Sequence, residues 1–189
     1  MKKLMFSLLL LTGSLFFVNA QNTLSKDTKN KTVISTRPLS LVLLQPNLKV
    51  EQAFGTNFTG GAELTLFTKV NKGFRVDPFL RFYTNKSGAA PEGFYFQGKF
   101  SYGNHKELIN EDIITTGVNK PTESFNAIGG GFGIGSQWFA GANNNFSIDF
   151  YGGVRRYAPI DPDNKIESAA FKVVRGWPAE LRFGLGYAF

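Results

Sequence analysis

The one histidine of the chain, His105, stands in the stretch GNHKELINED beside Glu107, Glu111 and Asp112. An imidazole within reach of a serine and an acid is the arrangement of a general base for ester or acyl chemistry. Here it falls in or near a polar connection rather than on a rigid strand. A lone histidine in that setting is ordinarily a solvated side chain, so no enzymatic activity is expected from it. One histidine and zero cysteines also fall short of the ligand sets that hold zinc. Calcium could draw oxygen ligands from Glu111 and Asp112, or from Asp161-Pro162-Asp163-Asn164. Neither run has the spacing of a defined calcium loop, so no metal or cofactor is assigned. In IGGGFGIG, Gly129, Gly131, Gly133 and Gly135 recur at every second residue. That is strand spacing, not a phosphate loop opening a helix, and it implies close packing against a glycine-lined strip.

The same period of two organises the charges. Lys49, Glu51, Glu63, Arg75, Asp77, Arg81, Lys99, Asp149, Arg155, Glu180 and Arg182 each lie mid-segment, opposite an apolar set. In FTGGAELTLF, Phe58, Ala62, Leu64 and Leu66 oppose Glu63. In GFRVDPFLRFY, Phe74, Val76, Leu80 and Phe82 oppose Arg75, Asp77 and Arg81. GFYFQGKFSY, FNAIGGGFGIGSQWF, FSIDFYGGVRRY, LKVEQAF and the terminal AELRFGLGYAF repeat the pattern. Successive strand side chains point to opposite faces, so each segment reads as a strand with one charged and one apolar side. Gly/Asn/Pro-rich separators such as GTN, TNKSGAAPEG and AGANNN suit antiparallel turns. Two connections, 103–123 and 158–178, are long and polar. No amphipathic helix and no fixed-period repeat stands out, and one domain is expected.

The N-terminal MKKLMFSLLLLTGSLFFVNA has a basic start at Lys2 and Lys3, an apolar run from Leu4 to Val18, and a small residue at Ala20. This is the pattern of a cleaved signal peptide over 1–20, followed by a polar lead-in over 21–31. Export, together with scattered rather than clustered basic residues, speaks against nucleic acid as a partner despite the net charge of +7. Absence of cysteine removes disulfides. Twenty phenylalanines and 21 glycines point to strands rather than a helical bundle.

Alternation alone does not say which face is the core. A soluble carrier would bury its apolar face, and a membrane barrel would turn it to lipid. Outward Lys or Arg at mid-membrane would cost roughly 2–4 kcal/mol each. Facing a narrow lumen, the mixed charges can pair instead. Aromatic residues gather near segment ends, at Phe54, Phe58, Phe74, Tyr102, Trp138, Phe146 and Phe189, as in interfacial girdles. An antiparallel up-and-down transmembrane β-barrel over 32–189 is therefore expected.

The terminal LRFGLGYAF, with APEGFYFQGKFSYG and FNAIGGGFGIGSQW, resembles the small eight-stranded Gram-negative outer-membrane barrels of the OmpA/OmpX/OmpW type. That resemblance implies insertion among outer-membrane lipid by the barrel-assembly machinery, which reads a last strand ending in an aromatic; Leu185, Tyr187 and Phe189 occupy those positions. It implies a monomer and an even strand number, so Thr32–Leu44 is assigned as an extra first strand, although Pro38 fits poorly in its middle. The short turns then face the periplasm and the two long connections face outward, with Arg156, of the wrong parity, at the outer rim. The function expected is non-catalytic: envelope structure, or interaction with an unidentified surface partner through 103–123 and 158–178. A narrow solute channel, a lipid-modifying enzyme built around His105 and a soluble lipocalin-like carrier stand as alternatives.

Overall fold

The computed structural model describes residues 32–68, 71–84, 90–107, 124–141, 143–160 and 178–189. The expected signal segment, the lead-in and most of the two long connections lie outside these residues, and with them Glu111, Asp112, Asp161 and Asp163. Eight strands form: β1 (Thr32–Thr36), β2 (Asn47–Ala53), β3 (Phe58–Phe67), β4 (Asn71–Tyr83), β5 (Gly93–Glu107), β6 (Ser124–Ala140), β7 (Phe146–Pro159) and β8 (Ala179–Ala188). Each pairs antiparallel with the next, and β8 returns to β1 to close a barrel. Every described strand thus has a partner on both sides, and none is an edge strand.

The register sets the width. One row runs from Thr32 through Gln52, Gly60, Leu80, Gly98, Phe132 and Val154 to Ala179. Ala179 lies six residues before Leu185, the partner of Thr36, so the row re-enters the first strand's line at position 42, ten residues past its start. Eight strands so staggered incline by roughly 35–45° and enclose a bore that side chains fill.

Two expectations about boundaries are corrected. The first strand does not run from Thr32 to Leu44; it ends at Thr36 and gives way to a short helix, α1 (Pro38–Val42). Proline has no N–H for the sheet, while its fixed φ suits a first helical turn. Asn47 holds the chain at this corner, its side-chain oxygen accepting from the Arg37 N–H at 2.8 Å. The second correction concerns 103–107. These residues extend β5, with Gly103 and His105 pairing to β4 on one side and β6 on the other. Alternation persists there, but Asn104 and Lys106 replace the aromatics of the outward set, so nothing apolar marks the strand. The barrel wall is consequently uneven. β1 and β2 have 5 and 7 residues, whereas β5 and β6 have 15 and 17.

The polarity of the two faces is inverted relative to a water-soluble domain. Phe132 is 70% exposed and Leu80 61%, whereas Glu51, Gln137 and His105 are 0% exposed. Aromatic rings on the outer wall contact one another, Phe150 with Phe183 across strands at 4.9 Å and Tyr187 with Phe189 along the chain at 5.0 Å. Inside, the alternate glycines of β6 lie under longer side chains from β5 and β7. A Cβ on Gly135 would come within 2.3 Å of the Tyr95 ring, and one on Gly133 within 2.7 Å of the Tyr151 ring. Gly98, on the outer wall, has nothing within 4 Å. Replacing Gly135 with Val is therefore expected to cost about 1–3 kcal/mol through overpacking. Gly98→Ala should stay within about 0.5 kcal/mol of the parent. Urea unfolding of the refolded chain followed by circular dichroism measures both.

Candidate functional site, the charged lumen

All eleven of the charges singled out by period lie on the inner face, and the structure gathers them into two tiers. The lower tier lies near the short turns. Its centre is Arg81 on β4, whose side chain is 3% exposed. Its Nε donates to Gln97 Oε1 at 2.8 Å, its Nη1 to Glu51 Oε2 at 2.8 Å and Gln137 Oε1 at 2.9 Å, and its Nη2 to Asp149 Oδ2 at 2.8 Å. Lys49 Nζ donates to Asp149 Oδ2 at 2.6 Å and to Glu51 Oε2 at 3.3 Å. The remaining carboxylate oxygens are capped by hydroxyls. Tyr83 and Thr59 donate to Glu51 Oε1 at 2.8 and 2.6 Å, and Tyr95 donates to Asp149 Oδ1 at 2.6 Å. Tyr95 also lies face-on to Arg81, with 4.0 Å from its ring centroid to the guanidinium carbon. Two cations meet two carboxylates, and the tier is neutral.

The upper tier lies towards the long connections. Arg182 on β8 donates to Glu63 Oε2 at 2.6 Å and to Glu180 Oε1 at 2.7 Å, and sits 3.8 Å from Asp77. Arg75 Nε donates to Asp77 Oδ2 at 2.9 Å. Arg37 pairs with Glu63 and Lys99 with Glu180. Arg155 comes no nearer than 3.9 Å to Glu180. Between the tiers is a cavity of about 20 Å³ lined by Lys49, Glu63, Arg81, Asp149, Tyr151 and Arg182, among others. That is room for about one water molecule. The side chains fill the bore at this level.

Above the upper tier His105 is enclosed rather than solvated. Its Nε2 lies 2.9 Å from the Tyr157 hydroxyl, and the rings of Phe67 and Phe125 pack at 5.0 and 5.4 Å. The expectation of a loop histidine is thus corrected, and the cause is the continuation of β5. Gly103 makes the contact possible, because a Cβ there would meet the Tyr157 hydroxyl at 2.3 Å. Arg156 points the other way, exposed on the outer wall opposite Gly130. At the C-terminus Leu185 and Tyr187 belong to the outer face, and Phe189 donates its N–H to the Thr32 carbonyl at 2.9 Å.

Several lumen residues escaped the reading by charge: Arg37, Thr59, Tyr83, Gln97, Gln137, Tyr151 and Tyr157. For all but Arg37, inward parity is readable in the strands, and the glycine strip of β6 is the signal that bulky side chains must cross it. Arg37 was hidden because it follows a strand of only five residues.

Comparison with family models, with curated proteins and with solved structures gives no match for this chain. The class defined by fold and lumen is a closed eight-stranded antiparallel barrel with an ion-paired interior and an apolar outer wall. Removing the hub of the lower tier would leave two carboxylates buried without their main partner. Arg81→Leu is expected to cost about 3–5 kcal/mol. Adding Glu51→Gln to that variant should recover part of the loss, because the two residues share one network. Denaturant midpoints of the two single variants and the double variant test the coupling.

Proposed function

We propose that this chain is a non-catalytic outer-membrane β-barrel with a side-chain-plugged lumen, exported by its signal peptide. In this reading it supports the envelope or presents the long connections that follow β5 and β7 to a surface partner. The observation that carries the reading is the inverted polarity. A water-soluble barrel would leave Leu80, Phe96, Phe132, Ile134, Phe150 and Leu181 in water, forfeiting about 25 cal/mol for each Å² of apolar surface. It would also have to desolvate the lumen charges with no hydrophobic gain. Lipid outside removes the first penalty, and ion pairing inside offsets the second.

The alternatives draw less support. A lipocalin-like carrier needs an apolar cavity, and this bore holds Glu51, Glu63, Arg81 and Arg182. A small-solute channel needs an open path, and the cavity between the tiers is water-sized. His105 faces Tyr157 and two phenylalanine rings rather than a serine and an acid. The presenting role is supported by the tall wall of β5 and β6, which carries the first of the two long connections. The resemblance to small outer-membrane barrels extends the reading to insertion by the assembly machinery and a monomeric state.

Phe132 lies on the outer face in the middle of the 17-residue β6. Phe132→Arg is expected to cost roughly 2–4 kcal/mol when the chain folds into lipid vesicles, and this is read as the folded fraction across a urea series. A soluble barrel would tolerate the change within about 0.5 kcal/mol. Recovery of the parent chain in the soluble fraction after alkaline extraction of membranes would sink the membrane reading outright.

A further inference from the structure

The two tiers differ in charge. The lower one balances Lys49 and Arg81 against Glu51 and Asp149. Around the upper one, Arg37, Arg75, Lys99, Arg155 and Arg182 face only Glu63, Asp77 and Glu180 among the described residues. Among the side chains described, five cations thus face three carboxylates, a surplus of two positive charges at this level of the bore.

The surplus has an address. Lys99 and Arg182 share Glu180, Arg37 and Arg182 share Glu63, and Arg75 takes Asp77. Arg155 is left over. Its side chain is 10% exposed, and its Nε and Nη1 have no hydrogen-bond partner among the described residues. Opposite it in β6 stands Gly131, which contributes no side chain to the space. Tyr157 offers only a ring face, 5.9 Å away. A water molecule could accept from these N–H groups but could not neutralise them. The carboxylate nearest Arg155, that of Glu180, stands 3.9 Å away and is shared with Lys99 and Arg182. A buried guanidinium paired so weakly is costly, and the residue type is suited to bidentate recognition of an oxyanion.

We propose that the upper tier is a binding site for one small anion, a halide or an inorganic oxyanion such as phosphate, held by Arg155 with Arg75 and Lys99 supplying the surrounding field. The proposal concerns the inside of the barrel, so it does not rest on the membrane reading. It also assigns Arg155 a role opposite in sign to the other lumen cations. Without the anion its charge opposes folding, and with the anion it holds the ligand.

The test uses the full chain without its signal segment, refolded in detergent. Thermal unfolding is followed while sodium chloride or sodium phosphate replaces sodium gluconate at constant ionic strength. The expected result is a saturable rise of the midpoint. At a hundredfold excess over Kd the folded-to-unfolded ratio should increase about a hundredfold, because the ligand binds only the folded state. Arg155→Gln should abolish the rise and, in gluconate, melt at or above the parent midpoint. Arg155→Lys should keep a weakened response, and Arg156→Gln, on the outer wall, should respond like the parent. No saturable response of the parent to either anion, or an undiminished response in Arg155→Gln, overturns the proposal.

Discussion

Arg81 is bonded at once to side chains from four other strands: Glu51 of β2, Gln97 of β5, Gln137 of β6 and Asp149 of β7. A guanidinium can do this because its donors lie in one rigid plane. The rest of the barrel depends on that convergence. A slip of one residue in any of these strands would carry the inner set to the outer face, and the acceptor belonging to that strand would leave the hub. The hydrogen-bonded rows alone would accept several registers. The desolvated charge at the centre accepts one.

Glycine and tyrosine work as complements around this hub. The bore of an eight-stranded barrel is only as wide as its side chains allow, and the inner face of β6 is stripped to Gly129, Gly131, Gly133 and Gly135. Tyr95, Tyr151 and Tyr157 reach across that strip from the adjoining strands. The Tyr95 hydroxyl then completes the Asp149 carboxylate. Close backbone approach on one strand thus becomes hydrogen bonding on another. The result is a lower end whose charges are balanced and whose carboxylates are fully bonded, and an upper end, towards the long connections, that is electrostatically unfinished.

The barrel architecture was legible in the sequence wherever both faces were marked. From Phe58 to Phe67 and from Phe146 to Tyr157, polar or small residues alternate with mostly aromatic or aliphatic ones, and strand and inward face follow together. Legibility failed where one face lost its mark. Beyond Tyr102 the outward residues turn polar, so the strand that buries His105 looked like a loop. Before Leu48 the strand is too short to display a period, and an aliphatic run continued through Pro38 as though it were strand. The lumen site was half legible. Parity named the charges, but neither their division into two tiers nor the partnership of Tyr83, Gln97 and Gln137 is local. Those contacts join residues as far as 119 positions apart, as Glu63 and Arg182 are, and only the stagger of the closed sheet brings them together.

The uneven wall has a consequence for how such a barrel would sit in a bilayer. β1 and β2 supply little strand above the short turns, and the apolar height on their side would fall below that of β5 and β6. A cylinder with unequal hydrophobic flanks meets mismatch on its low side, relieved by leaning or by thinning the lipid at a fraction of a kcal/mol per Å. α1 and the turn after it stand above β1 and expose Leu39, Leu41, Val42, Leu43 and Leu44. Those five aliphatic side chains extend the greasy flank where no strand continues. In a bilayer the inclination of the molecule would then be set less by the sheet than by one helical turn, which would act as a wedge between the low rim and the acyl chains.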